Sequence, residues 1–279
     1  MQLCRTVAQV RALRPRFERL GFVPTMGSLH DGHLGLIRRA KATCGAVAVS
    51  VFVNPIQFAP GEDLERYPRD LERDLELAQG AGADFVFAPE PSELYPAGFS
   101  SRVDVGLTHG AENAARPGHF SGVATVVAKL FNIVQPTVAV FGQKDAEQCA
   151  VIRRLAADLD LPVKIDIAPT AREPDGLAMS SRNSYLSPVE RAAAAAVSRA
   201  LGAAQARFHS GERDPDVLRI AVAAVLDAEP LAQTQYVAFA DPDSLAPLST
   251  PARRMLLSLA VRFGRTRLID NVLLDAGGI

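Results

Sequence analysis

The chain has 279 residues, of which 48% are hydrophobic and 22% charged, and its net charge at pH 7 is -1. That length can bury a sizeable core in one large domain or two ordinary ones; the balance excludes a disordered chain, and the near-zero charge gives no reason to expect a nucleic-acid partner. No run approaches the roughly 18 apolar residues of a membrane-spanning helix, and the opening MQLCRTVAQVRALRPRF breaks its apolar residues with arginines and contains no signal-peptide core, so the expectation is a cytoplasmic protein with no membrane partner.

Residues 21–25 read as a first strand, and 34–43 as a helix with basic residues on one face. AVAVSVFV at 46–53 is a nearly continuous apolar run of the kind buried on both faces of a sheet, and Asn54-Pro55 breaks it. Residues 70–81 have helical spacing, with Leu71, Leu75 and Ala78 on one side, and DFVFA at 84–88 is a third strand stopped by Pro89 and Pro91. The apolar run at 122–134 is long enough to be a helix; 138–141 reads as a strand, 146–158 as a helix and 163–167 as the last strand of this half. Strands alternating with helices predict an open parallel sheet whose strands deliver their carboxyl ends into polar loops, where such sheets bind ligands.

The character changes after Thr170, and a domain boundary is placed between Thr170 and Met179. An alanine-rich helix over 188–209 and a second over 215–228 precede three alternating segments, 235–240, 255–263 and 267–274, which predict a small antiparallel sheet. The second domain is therefore a smaller α+β unit.

Four segments could carry chemistry. In HDGH, His30 and His33 stand at a strand-helix junction, with Gly27 and Gly32 allowing tight backbone packing; imidazole and orphan backbone N–H groups around one space suit a phosphate. A histidine in such a loop is also a common structural hydrogen-bonder, and a zinc pair would need a third ligand that no familiar spacing supplies. Gly142-Gln143-Lys144-Asp145 follows another strand; Lys144 would be a compact charge for a phosphate, and Asp145 a helix cap or a cation ligand. No GxxxxGK[ST] or GxGxxG fingerprint occurs. Met179-Ser180-Ser181-Arg182 reads as a phosphate clamp or as a polar linker with a solvated arginine. Gln57 and Gln148 are amides able to hold a hydroxyl or carboxylate without changing the charge of a site. Cys4, Cys44 and Cys149 are widely spaced and form no CxxC pair, so they read as ordinary thiols.

VPTMGSLHDGHL, FVNPIQF, ERYPRDLERDL, RPGHFSGVATVVAKLFNIVQP, FGQKD and DGLAMSSRNSYLS stand in this order, with TRLIDN near the C-terminus. Together they resemble the pantothenate synthetase (pantoate:beta-alanine ligase) family over nearly the whole chain. The HxGH element alone is shared with a wider superfamily of nucleotidyl-transferring enzymes and class I aminoacyl-tRNA synthetases, so its companions carry the resemblance.

The resemblance implies an α/β fold: a Rossmann-like parallel-sheet domain over 1–172 that binds ATP and pantoate, and a smaller C-terminal α+β lid over 173–279. It also implies a homodimer, ATP and Mg2+, and a reaction that condenses pantoate with beta-alanine through pantoyl adenylate, releasing pyrophosphate and AMP. Carried over by position, Met26, Gly27, Ser28, Leu29, His30, Asp31, Gly32 and His33 would form the ATP loop. His33 would donate a proton or hydrogen bond to the phosphates, assisted by His30, and Lys144 would be the third catalytic group. Gly142, Gln143, Lys144, Asp145, the backbone at Ala171, and Met179, Ser180, Ser181 and Arg182 would complete the ATP site. Gln57 and Gln148 would hold pantoate, with Gln57 also near beta-alanine; the resemblance names no metal ligands.

Three positions depart from the family's pattern. Ala146 and Glu147 stand where members often have an aromatic residue and a glutamine, and Arg73 precedes Asp74 where some members have a second acidic residue. Arg116 and His119 are assigned either to support of the site or to the fold. The competing readings are a simple nucleotidyltransferase, which HxGH alone would favour, and a nucleotide-binding module without catalysis.

Overall fold

The computed structural model describes residues 1–107 and 109–277. In chain order the elements are β1 (Gln2–Cys4), α1 (Val7–Leu13), β2 (Gly21–Thr25), α2 (Asp31–Cys44), β3 (Val47–Val51), α3 (Leu71–Gly80), β4 (Phe85–Phe87), α4 (Pro91–Leu94) and α5 (Ala111–Ala115). They continue as α6 (His119–Val134), β5 (Val138–Gly142), α7 (Ala146–Asp158), β6 (Lys164–Ala168), α8 (Pro188–His209), α9 (Pro215–Asp227), β7 (Gln233–Ala240), β8 (Arg254–Phe263) and β9 (Thr266–Asp275). Short 3-10 turns cover Pro55–Gln57, Gln143–Asp145 and Ser181–Tyr185.

The contacts divide the chain into two compact units. The first comprises Met1–Gly106, Arg116–Gly142 and Val151–Pro169; the second comprises Leu107–Ala115, Gln143–Ala150 and Thr170–Ile279. Residues 278 and 279, the end of the expected lid, lie outside the described residues.

The first unit is built on a six-stranded parallel sheet in the order β1-β4-β3-β2-β5-β6. Successive residues of β2 point to opposite faces: Val23 joins a cluster with Leu34, Ile37 and Ala40 of α2 and Ala78 of α3, whereas the Phe22 ring meets Phe131 of α6 with centroids 6.5 Å apart. Both faces are covered, and for this reason the strands read as unbroken apolar runs. The strand order reverses between β2 and β5, which places the switch point of the sheet at the carboxyl ends of these two strands.

The second unit packs α8 and α9 on one face of an antiparallel sheet in the order β7-β8-β9. Ala193, Ala196, Ala200 and Ala204 form the buried stripe of α8, and their small side chains let the helix approach Leu257, Leu259 and Val261 of β8 closely. Ser187 and Glu190 close a capping box at its N-terminus. On the other face of the sheet, Leu256 packs with Ala146, Ala150 and Leu245. None of the three cysteines is in a disulfide, and among the described residues no helix is long and apolar enough to cross a membrane.

Candidate active site

The HDGH segment leaves the carboxyl end of β2 and enters α2 with His30 as the N-cap, in extended conformation. Four consecutive backbone amides of this loop have acceptors within the first unit. Gly27 N–H donates to Thr25 Oγ1 at 3.1 Å, Ser28 and Leu29 N–H donate to the Asp74 carboxylate at 2.9 and 2.7 Å, and His30 N–H donates to His33 Nδ1 at 3.4 Å. With the backbone amides of 27–30 engaged, what the loop sets at the N-terminus of α2 is its two imidazoles. Gly27 has φ of +84°, and a Cβ there would stand 2.7 Å from Asp74 Oδ2, so only glycine fits against the carboxylate.

The two imidazole rings lie 4.1 Å apart by centroid, both half-buried. Because His33 Nδ1 accepts from a backbone N–H, the neutral ring carries its proton on Nε2 and is a donor there. Asp74 itself is buried, 2% exposed, and burial pushes its carboxyl up even though two amides favour the ionised form.

Gln57 ends the 3-10 turn after β3, also in the first unit. The carbonyl of Gly122, which cannot rotate, accepts from Asn54 Nδ2 at 3.1 Å and so fixes which end of the Asn54 amide faces it. That amide also donates to Gln57 Oε1 at 2.9 Å, and Tyr95 donates its hydroxyl to Asn54 Oδ1 at 2.7 Å. With its oxygen committed, Gln57 presents Nε2, whose contact is the weakly accepting Met26 sulfur at 3.2 Å.

The backbone of Gln57 is held as well. A guanidinium can only donate, so Arg116 Nη1 donates to His119 Nε2 at 3.1 Å, and His119 Nδ1–H then donates to the Gln57 carbonyl at 2.9 Å. Arg116 in turn grips Glu62 through two bonds of 2.7 and 2.5 Å. Ile56, Gln57, Glu62, Arg116 and His119 line a cleft of about 220 Å³. Arg116 and His119 thus fix the turn that carries Gln57.

The other predicted residues belong to the second unit, except Gly142, which ends β5 in the first. Lys144 and Asp145 lie in the Gln143–Asp145 turn, where Lys144 Nζ stands 3.4 Å from Asp145 Oδ1, and Gln148 is half-buried in α7. The Ala171 carbonyl accepts from Met179 N–H at 2.9 Å, and residues 172 and 178 form an antiparallel bridge, so 171–179 is a tight hairpin that delivers Met179 to Arg182. Ser180 caps the following turn, its hydroxyl accepting from Arg182 N–H at 3.3 Å.

A family model described as pantoate-beta-alanine ligase matches residues 2–273. The chain belongs to the pantoate-beta-alanine ligase family. The pantothenate synthetase of Roseiflexus sp. (strain RS-1) is 57% identical over 278 residues, covering 99% of this chain and all of that protein. The crystal structure of pantothenate synthetase from Thermus thermophilus superimposes with a TM-score of 0.94 at 50% identity, covering 99% and 100% of the two chains. The pantoate-beta-alanine ligase of Francisella tularensis, in complex with beta-gamma ATP and beta-alanine, gives 0.80 at 32% identity over 99% of each chain.

As a member of the pantoate-beta-alanine ligase family the chain is a ligase, with the α/β sheet domain and smaller α+β part expected from its sequence. Asp74, Asn54 and Tyr95 are the contributors that sequence reading did not assign. Asp74 and Asn54 lie inside quoted motifs, but their partners are backbone groups tens of residues away, for which a sequence has no marker.

Proposed function

We propose that the protein condenses pantoate with beta-alanine in two steps. Pantoate's carboxylate oxygen attacks the α-phosphorus of ATP; the bond to pyrophosphate breaks and pantoyl adenylate forms. The beta-alanine nitrogen then attacks the activated carbonyl carbon, the C–O bond to AMP breaks, and the amine sheds a proton, leaving pantothenate and AMP.

The observation that carries this reading is the loop from Met26 to His33, which holds two imidazoles 4.1 Å apart at the N-terminus of a 14-residue helix, at the switch point of a parallel sheet. Loss of pyrophosphate builds negative charge on oxygen, and a preplaced donor is typically worth about 3–4 kcal/mol there. His33 supplies such a donor through Nε2, His30 stands against its ring, and the helix N-terminus adds its dipole. The family's motifs assign 142–145, the Ala171 backbone and 179–182 to ATP, with Lys144 and Arg182 as cations for the phosphates. Gln57, turned to donate, suits a hydroxyl or carboxylate oxygen of pantoate, and Gln148 is assigned the same substrate.

Magnesium fits this donor set. As a hard cation it is usually held by substrate phosphates and one or two carboxylates; among the described residues no cluster of three potential ligands occurs, and Asp145 is the carboxylate of its loop. Bound there, it would neutralise phosphate charge. A homodimer, a cytoplasmic location, a Rossmann-like nucleotide-binding domain over 1–172 and a lid over 173–279 belong to the same reading.

The test is to incubate the purified protein with ATP, magnesium and pantoate, with and without beta-alanine, and to identify the products by mass spectrometry. Pantothenate and AMP are expected only with beta-alanine, and pyrophosphate with an enzyme-held adenylate without it. Absence of any pantoate-dependent AMP or adenylate would overturn the reading in favour of a simple nucleotidyltransferase.

A further inference from the structure

The TRLIDN motif has no role in the reaction as described, yet its last two residues are among the most buried polar groups of the second unit: Asp270 is 2% exposed and Asn271 4%. Both lie on β9, paired with Leu259 and Ser258 of β8. Side chains on a strand alternate between faces, so two neighbouring residues serve opposite sides of one sheet.

Asn271 faces the side where Leu256 packs against α7, and its amide is fully committed. Nδ2 donates to the carbonyls of Gln143 and Lys144 at 2.9 and 2.7 Å, while Oδ1 accepts from Gln143 Nε2 at 3.3 Å. Two fixed backbone acceptors on one side settle the orientation of the amide. Asp270 points to the face that carries Leu268 and Leu274 and receives the Arg172 guanidinium through two bonds of 2.6 and 3.1 Å. Arg172 also donates to the Gly176 carbonyl at 3.0 Å and so closes the hairpin that leads to Met179.

We infer that Asn271 is the positioning residue of Lys144, and that with Asp270 beside it this dipeptide holds in mutual register the two segments of the second unit, Gln143–Lys144 and the 171–179 hairpin. The inference rests on the assignment of Lys144 and 179–182 to ATP. Its physical basis is that the turn carrying Lys144 is only three residues long and has no core of its own. The two carbonyl bonds tie its backbone to the middle of β9, which is paired along its whole length with β8, and rigid support of this kind places a catalytic charge to within fractions of an ångström. Asn271 touches no substrate in this role; it acts through the lysine.

The test is a cycle of Asn271→Ala, Lys144→Ala and the double variant, with steady-state rates measured for varied ATP and varied pantoate. Asn271→Ala is expected to lower kcat/KM for ATP by about 10- to 100-fold, the range that a displacement near 1 Å costs, with KM for pantoate changed by less than about twofold. In the Lys144→Ala background the same change should cost no more than about threefold, because its route of action is already gone. Asn271→Asp is isosteric and loses both donors; it should behave like the alanine variant and carries the test if that one does not fold, as judged by near-ultraviolet circular dichroism and melting. Losses that simply multiply in the double variant, or an Asn271→Asp enzyme with wild-type kinetics, overturn the inference while leaving the ATP assignment intact. A Lys144→Ala enzyme with wild-type kinetics overturns that assignment and the inference with it.

Discussion

A backbone amide decides what His33 can do. Because His30 N–H occupies Nδ1, the neutral ring must donate through Nε2, the form useful to a phosphate oxygen that is gaining charge. Replacing His33 by alanine should slow adenylate formation by about 100- to 1,000-fold, the cost of one lost oxyanion donor, followed as pantoate-dependent pyrophosphate release. The melting temperature should move little, since His33 is not part of the apolar cluster beneath α2. Near-normal pyrophosphate release would sink the assignment. Asp74 differs because it holds two amides of the loop at once. Asp74→Ala leaves Ser28 and Leu29 N–H without this acceptor, at about 1–3 kcal/mol for each buried group left unsatisfied. Both stability to urea and the rate of adenylation should fall; if stability drops but adenylation does not, the carboxylate supports the fold without shaping the site.

At the scale of elements, α6 approaches the Pro55–Gln57 turn as closely as a backbone allows. A Cβ at Gly122 would stand 2.4 Å from the Ile56 carbonyl oxygen and 2.6 Å from Gln57 Cα, atoms that cannot swing aside. Gly122→Ala should therefore push the turn off the helix, costing about 1–3 kcal/mol as overpacking usually does, and raise KM for pantoate more than KM for ATP. Equal changes in the two constants would separate the turn from pantoate. Elements of this size were mostly legible in the sequence: α6, α7 and α8 from apolar spacing and length, and the sheet strands from their uninterrupted runs. β1 was not, because three residues, QLC, at a sheet edge carry no period. The assignment of Leu107–Ala115 and Gln143–Ala150 to the second unit was equally hidden, since it depends on long-range partners such as Asn271 and Glu112. For the candidate site, the sequence displayed His30, His33 and Lys144 as chemistry-bearing residue types, but not the bonds to backbone groups around them.

At the scale of the whole molecule, stability against pH is a sum of opposing carboxylates. Arg39 beside Asp166 and Arg191 beside Asp175 hold those carboxyls below their usual range, and Arg116 does the same for Glu62 against the upward push of burial. Groups of this kind stabilise the protein above their ordinary pKa and lose that contribution as pH falls. Glu147 runs the other way. It is buried, 7% exposed, and burial together with the nearby Glu112 carboxylate raises its pKa despite backbone amides that favour the charge. A raised acid binds its proton more tightly in the folded state than in the unfolded one, so its contribution is greatest at low pH and declines as pH climbs from the ordinary glutamate value through the folded one. Glu147→Gln abolishes this slope, and the amide at once weakens the bonds that Glu147 accepts from Glu112 N–H at 3.0 and 3.1 Å by an amount that does not vary with pH. Urea unfolding of both proteins between pH 4 and pH 8 should therefore show the variant gaining on the parent as pH rises through the Glu147 titration, then running parallel to it. A constant difference across the range, or one that shrinks with rising pH, would mean that Glu147 is not held as a raised acid in the folded protein.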